Sequence, residues 1–248
     1  MSGFLFFREV KLVEDKLKDR LKGFRLKAEG IPNSLQPKQP IPPSIPYDAD
    51  YFERGIQSGK SCFENYRWIV ELTIPMAMVI IDYLGIKRGE TILDYGCAKG
   101  YLVKALRWLG RDAWGYDISQ YAIDHADPEI KNYVSAYHNG HEAAKYIIMK
   151  DILEHLNESD IIRLLRSIKS DTIFAVIPLG DGEKFNIPQF EQDITHVTRQ
   201  TESWWCQIFR HGGWVITDTT NRIPGIKDHW SHVKDGHIFI TAKRGQNE

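Results

Sequence analysis

The chain has 248 residues, of which 42% are apolar and 26% charged, and its formal net charge is −1. That size and mixture suit one α/β domain with an appendage or two small domains, and exclude a global field that would draw the protein onto nucleic acid or a membrane surface. Cys62, Cys97 and Cys206 make neither a disulfide framework nor a zinc signature, no uncharged apolar run is long enough to span a bilayer, and Phe4 to Phe7 is too short for the apolar region of a signal peptide. A cytoplasmic protein with reduced thiols is expected.

Taken in chain order, residues 8 to 29 place Val10, Val13, Leu17, Leu21 and Phe24 every three or four positions among many charges, which predicts an amphipathic helix. Its apolar stripe suits packing on the body or a subunit contact, so a homo-oligomer through this helix is one expectation; its basic side chains alternatively suit an anionic partner. Six prolines between Pro32 and Pro46 forbid helix or central strand and read as an extended linker. The expected division is therefore 1–46 for helix and linker, 47–90 for an aromatic segment with leading helices, and 91–248 for the main domain. Aromatics crowd residues 47 to 68 outside any clean period, which fits either a lid or a cover for the sheet edge. From Trp68 to Leu84 the pattern is helical, with Pro75 opening a second helix or kinking one.

Thr91 to Val103 reads as strand, tight turn and helix, with Gly96, Ala98 and Gly100 in the turn. Small residues there let a ligand approach the backbone and the helix N-terminus. Ala113 to Asp117 is a second strand ending in an acid, with Ser119 as N-cap of the next helix. A third strand is expected over Lys131 to Ser135, a fourth over Tyr146 to Lys150, and a helix begins at Asn157. Thr172 to Ile177 is a fifth strand. A polar stretch, 178 to 201, precedes a helix through Trp204 and Phe209 that ends at Gly212-Gly213. Strands over Trp214 to Thr219 and His237 to Ala242 flank the loop 220 to 236. This alternation predicts a doubly wound, mostly parallel seven-stranded sheet with helices on both faces and an antiparallel last strand.

Ligands of such sheets bind beyond the carboxyl ends of the strands. Residues 94–100, 117–119, 150–155 and 178–199 therefore converge on one crevice, with loop 220–236 at its rim. Asp117 lies where an acid can take the hydroxyls of a ribose. A nicotinamide site wants a third small residue where Tyr101 stands, and no phosphate-binding P-loop is present. Asp94 would repel a pyrophosphate and suits a ligand carrying an ammonium or sulfonium charge.

Leu93 to Gly100, Gly115 to Ser119 and Lys150 to Leu156 resemble successive motifs of the class I S-adenosylmethionine-dependent methyltransferases. The resemblance covers roughly residues 66 to 244. It implies that Asp94, Tyr95 and the backbone of Gly96, Cys97, Ala98 and Gly100 hold the methionine part of S-adenosylmethionine. It further places Asp117 on the ribose and Ile118 on adenine, and counts Lys150 among the cofactor-binding residues. Ala98 replaces the family's second glycine, and the acid usual after strand three is not evident around Ser135 to His138.

A hydroxyl acceptor needs its proton removed, which histidine does best near neutral pH. His196, within Asp193 to Arg199, resembles the Thr-His stretch of many bacterial methyltransferases of glycan or unassigned acceptors. It is expected as general base, with His155 or Asp151 orienting the acceptor. His155, four residues after Asp151, is expected on the same helix face. The plainer alternatives are that Glu154-His155 braces the strand exit, that His196 anchors its loop, and that His229 and His232 are solvated. Asp181, Glu183 and Lys184 suit either an acceptor-side or a solvated loop. Asp193 with His196 suggests a metal site, but no clear set of carboxylate ligands accompanies them, so no metal is expected. The expected activity is methylation of a small polar or glycan hydroxyl acceptor. The alternatives are an RNA-directed enzyme and a non-catalytic scaffold. The absence of [DNS]-P-P-[YF] after strand four argues against amino-directed DNA methylation.

Overall fold

The computed structural model describes residues 47–137 and 143–245. The amphipathic helix, the proline-rich stretch and the subunit contact expected of residues 1–46 lie outside these, as does His138. Seven strands form one sheet in the order β3-β2-β1-β4-β5-β7-β6. They are β1 (Thr91–Tyr95), β2 (Asp112–Tyr116), β3 (Val134–Ser135), β4 (Tyr146–Lys150), β5 (Thr172–Pro178), β6 (Trp214–Thr220) and β7 (His237–Arg244). Strands β1 to β5 pair in parallel, and β7 runs antiparallel to both β5 and β6. This is the predicted doubly wound sheet with its antiparallel last strand.

Alternation along each strand sends side chains to opposite faces, and both faces are apolar, as a sheet covered by helices on each side requires. Ile92, Ile148, Phe174 and Phe239 pack on one face beneath α3 (Val70–Leu84) and α4 (Tyr101–Trp108). Leu93, Ile147, Ile173 and Ile240 pack on the other beneath α6 (Glu158–Ser167) and α7 (Glu202–His211). Ser119 caps α5 (Gln120–Asp124) as expected, accepting the Ala122 N–H at 3.0 Å. Asn157 caps α6 and Thr201 caps α7 in the same way.

Three expectations change. Pro75 does not open a second helix but lies inside the single helix α3, as its sixth residue, where it removes one i→i−4 backbone hydrogen bond. The third strand is only two residues long, preceded by a 3-10 turn at Lys131–Tyr133. Leu153–His155 is also a single 3-10 turn that excludes Asp151, so His155 and Asp151 do not share a helix face.

The aromatic segment folds as α1 (Ala49–Glu53), α2 (Gly55–Ser58) and an irregular run to Ile69. Tyr51 and Phe52 are buried against Ala122, with Phe63, Tyr66 and Tyr121 around them. The segment therefore lies over the loops at the carboxyl ends of β1 and β2. Phe174, fully buried in the middle of β5, should cost about 3–5 kcal/mol when replaced by Ala, read from the midpoint of denaturant unfolding.

Candidate functional site

The reversal of strand order falls between β1 and β4, and the loops leaving their carboxyl ends form the crevice wall. The turn after β1 is left-handed at Gly96 (φ 81°), Ala98 (φ 49°) and Gly100 (φ 76°). A Cβ on Gly96 would lie 1.9 Å from Cδ1 of Ile152, so the loop after β4 packs directly on the glycine turn. The N–H groups of Gly96 and Cys97 both donate to the Tyr116 carbonyl, that of Ala98 to Asp117 Oδ2 at 2.7 Å, and that of Gly100 to the Cys97 carbonyl. These donors are engaged within the protein. Four of the turn's N–H groups are thus turned inward, and its cation, Lys99, is paired with Glu53, which leaves Asp94 as the charge that precedes the turn. The Cys97 side chain serves packing: it is buried against Gly115, and burial pushes its thiol up.

Asp94 is 4% exposed and forms neither a hydrogen bond nor an ion pair with a described residue. Burial pushes its carboxyl up to about 7, against the more distant Lys150 and with the help of Asp117. Asp117 is also buried and also raised by burial, but the Ser119 and Ala98 N–H groups each donate to it at 2.7 Å. Each of its oxygens keeps a lone pair for a further donor. Ile118 beside it is 41% exposed, an apolar side chain left open to a flat ring.

The aromatic segment bridges both walls. Lys99 of the glycine turn donates to Glu53 Oε1 at 2.5 Å and to the Tyr66 carbonyl at 2.8 Å, and Ser119 Oγ donates to the Tyr47 carbonyl at 2.6 Å. On the other side Tyr51 Oη donates to Asp193 Oδ2 at 2.6 Å, and the Ile194 N–H donates to the Lys60 carbonyl.

The second wall brings together most of the predicted acceptor-side residues. His196 is 6% exposed, and its Nδ1 lies 2.8 Å from the Phe190 carbonyl, which only an N–H can satisfy. Its Nε2 is thus the unprotonated nitrogen, 4.0 Å from Glu154 Oε1 and 3.9 Å from Asp193 Oδ2. Burial lowers the affinity of His196 for a proton, so the ring is neutral at pH 7. The ring of His155 lies 4.6 Å from that of His196, and its Nδ1 is 2.7 Å from Thr195 Oγ1, which itself donates to Asp193 Oδ1. Burial lowers His155 to about 4.

Asp151, at φ 58°, is held by Lys150 Nζ at 2.5 Å and Lys227 Nζ at 2.6 Å; these cations keep its carboxyl below the usual range despite burial. Lys150 is thereby tied to Asp151. His229 and His232 flank Trp230 on the rim and are not brought into the cluster. Asp181 closes its own turn by accepting the N–H groups of Glu183 and Lys184. Lys227, Tyr51, Thr195 and the carboxylate of Glu154 are site residues the sequence reading did not single out. Only the Glu154-His155 adjacency hinted at one of them.

The family model described as a methyltransferase domain matches residues 76–221, so the chain belongs to that family. Its fold is that of the class I S-adenosylmethionine-dependent methyltransferases, and S-adenosylmethionine is the cofactor. The chain is similar in structure to the Burkholderia thailandensis 1,6-didemethyltoxoflavin-N1-methyltransferase, solved with its substrate and S-adenosylhomocysteine (TM-score 0.53, 14% identity, 71% of this chain and 80% of that one). It is likewise similar to magnesium protoporphyrin IX methyltransferase from Synechocystis PCC 6803 with bound S-adenosylhomocysteine (0.52, 14%, 71% and 83%). A third similar structure is the mitomycin 7-O-methyltransferase (0.51, 14%, 77% and 66%). No curated protein matches the chain in sequence. No helix of the described residues is long and apolar enough to cross a membrane.

The raised carboxyl of Asp94 has two measurable consequences. A cationic ammonium prefers the ionised acid, so affinity for S-adenosylhomocysteine should fall about tenfold per pH unit below about 7, and Asp94→Asn should flatten that dependence while weakening binding at pH 8, by calorimetric titration. In the free protein the sign reverses. A carboxyl raised from 3.8 to about 7 contributes stability below pH 3.8 that is lost as pH rises through 7. Asp94→Asn should therefore stabilise the ligand-free chain at pH 8, by on the order of 2–4 kcal/mol in denaturant unfolding.

Proposed function

We propose that the protein transfers a methyl group from S-adenosylmethionine to a hydroxyl oxygen of a small molecule held between the two walls of the crevice. The observation that carries this reading is the neutral His196, whose Nδ1 is bound to a backbone carbonyl and whose Nε2 lone pair faces Glu154 and Asp193 inside a buried cluster. An amine acceptor that is already nucleophilic does not need such a group, whereas a hydroxyl does. Both an N-directed and an O-directed enzyme occur among the similar structures, so the fold leaves the acceptor atom to this chain's own side chains.

The residues present fit the cofactor. Asp94, buried without a hydrogen-bond or ion-pair partner among the described residues, would face its cationic methionine end; Asp117 would accept the ribose hydroxyls; Ile118 would lie on the adenine. S-adenosylmethionine supplies an electrophilic methyl carbon on a sulfonium. The protein's part is to orient the acceptor oxygen in line with that carbon, to exclude water and to activate the hydroxyl at Nε2 of His196. The lid, clasped by Lys99–Glu53 on one wall and Tyr51–Asp193 on the other, closes the crevice during transfer. Asp193, Thr195 and His155 form a hydrogen-bonded chain that sets the acceptor-side geometry. A small polar or sugar hydroxyl suits this polar wall.

Incubation with carbon-13 methyl-labelled S-adenosylmethionine and a fractionated metabolite extract should label a small-molecule fraction with a methoxyl signal. An N-methyl product, or no transfer despite cofactor binding, would overturn the reading. Once a labelled acceptor is in hand, His196→Ala should slow turnover at least about 100-fold with S-adenosylhomocysteine affinity changed less than about twofold. Unchanged turnover removes His196 from this role.

A further inference from the structure

At the acceptor end of the crevice a buried carboxylate stands beside two imidazoles without the partner that burial demands. Glu154 is 0% exposed, and neither of its oxygens has a hydrogen-bond partner among the described residues. The two lysines that act on it from a distance, Lys150 and Lys227, are both engaged by Asp151. Burial pushes this carboxyl well above the usual range, toward the neutral acid, and only a cation placed beside it would offset the several kcal/mol that the ionised form costs here. One oxygen of Glu154, one ring nitrogen of His155 and one of His196 all lie within 4.8 Å of one another. Three such donors around an ion at about 2.0–2.2 Å would sit roughly 3.3 Å apart, so closing the spacings by up to about 1.5 Å completes the set.

The surroundings of these three groups are those of metal ligands. His196 donates Nδ1–H to the Phe190 carbonyl, which holds the ring and points the Nε2 lone pair toward Glu154. His155 is held at Nδ1 by Thr195, which is held in turn by Asp193, and Asp193 by Tyr51. Ligating imidazoles are oriented in this way, by a carbonyl or carboxylate-linked partner on the other nitrogen. The 3-10 turn Leu153–His155 places Glu154 and His155 side by side, and the Glu154 carbonyl accepts the N–H groups of Val197 and Thr198, which brings His196 against them.

We infer that Glu154, His155 and His196 bind one divalent first-row transition-metal ion, with coordination positions left for the acceptor. Two imidazoles and one carboxylate favour zinc, manganese or a similar ion over magnesium or calcium, which prefer all-oxygen ligands. The inference deepens the reading of this wall as the acceptor side and rests on it for its chemistry. A hydroxyl bound to the ion loses its proton to solvent; its oxygen then forms the O–C bond while the C–S electron pair returns to sulfur. The Nε2 lone pair of His196 is then a ligand, and the ion activates the hydroxyl.

The test uses the full chain, stripped with a chelator and dialysed against zinc, manganese or magnesium, with retained metal measured by elemental analysis. The expected result is about one equivalent of zinc or manganese per chain and none of magnesium. Glu154→Gln and His155→Gln should each weaken retention at least about tenfold, while His232→Ala on the rim retains it. Cobalt titration gives a second readout, visible ligand-field bands present in the starting protein and lost in both variants. S-adenosylhomocysteine affinity in the same samples reports whether each variant is folded. Metal retention no greater than in Glu154→Gln, or cobalt bands unchanged by either substitution, overturns the inference. If S-adenosylhomocysteine then still binds through Asp94, the methyltransferase reading stands; if metal binds and the cofactor does not, that reading falls and the metal site stands.

Discussion

The burial of carboxyl groups is the constraint on which this crevice depends. Asp94, Asp117, Asp151, Glu154 and Asp193 all stand at the carboxyl ends of the parallel strands or in the loops that follow, four of them under 9% exposed. Burying carboxylates is costly unless each is paired or hydrogen-bonded. Two are satisfied from within, Asp117 by two backbone N–H groups and Asp193 by Tyr51 and Thr195, and Asp151 is paired through Oδ2 with Lys150 and Lys227 while its Oδ1 has no hydrogen-bond partner among the described residues. Asp94 and Glu154 have no ion-pair partner of this kind among the described residues, and these are the two acids facing the places where a cationic cofactor group and a metal ion are proposed to bind.

The satisfied acids also do structural work. Asp117 ties the glycine turn to the loop after β2, and its clamp on Ala98 helps hold that residue at positive φ without a glycine. Asp151 draws Lys227 of the β6–β7 loop across to β4, so the rim is attached to the crevice floor by a charge pair. Asp193 anchors Tyr51, which fixes one end of the aromatic segment. The polar network thus positions the loops that the apolar sheet core leaves undetermined.

Much of the scaffold was legible in the chain itself. Runs such as Tyr146 to Lys150 and Thr172 to Pro178 are apolar on both faces because they lie in the middle of a covered sheet, and their burial shows it. Ser119, Asn157 and Thr201 announce helix starts through their side-chain oxygens. Shorter features were harder to read. At Lys131 to Ser135 a 3-10 turn takes most of the segment expected as strand, and at Leu153 to His155 a single turn replaces the helix face assumed for Asp151 and His155. In both places a few local residues carry too little periodicity to outweigh tertiary packing.

The sequence by itself determined the order of elements, the left-handed glycine turn with an acid before it, and the family. These follow from local sterics, hydrophobic periodicity and the spacing of a few residues along the chain. Only the tertiary structure decided which acids are neutralised, that Glu154 stands alone beside His155 and His196, and that Lys227 and Tyr51 reach the site from distant segments. Those facts depend on residues 42 to 142 positions apart meeting in one low-dielectric pocket, and no local pattern along the chain encodes such a meeting.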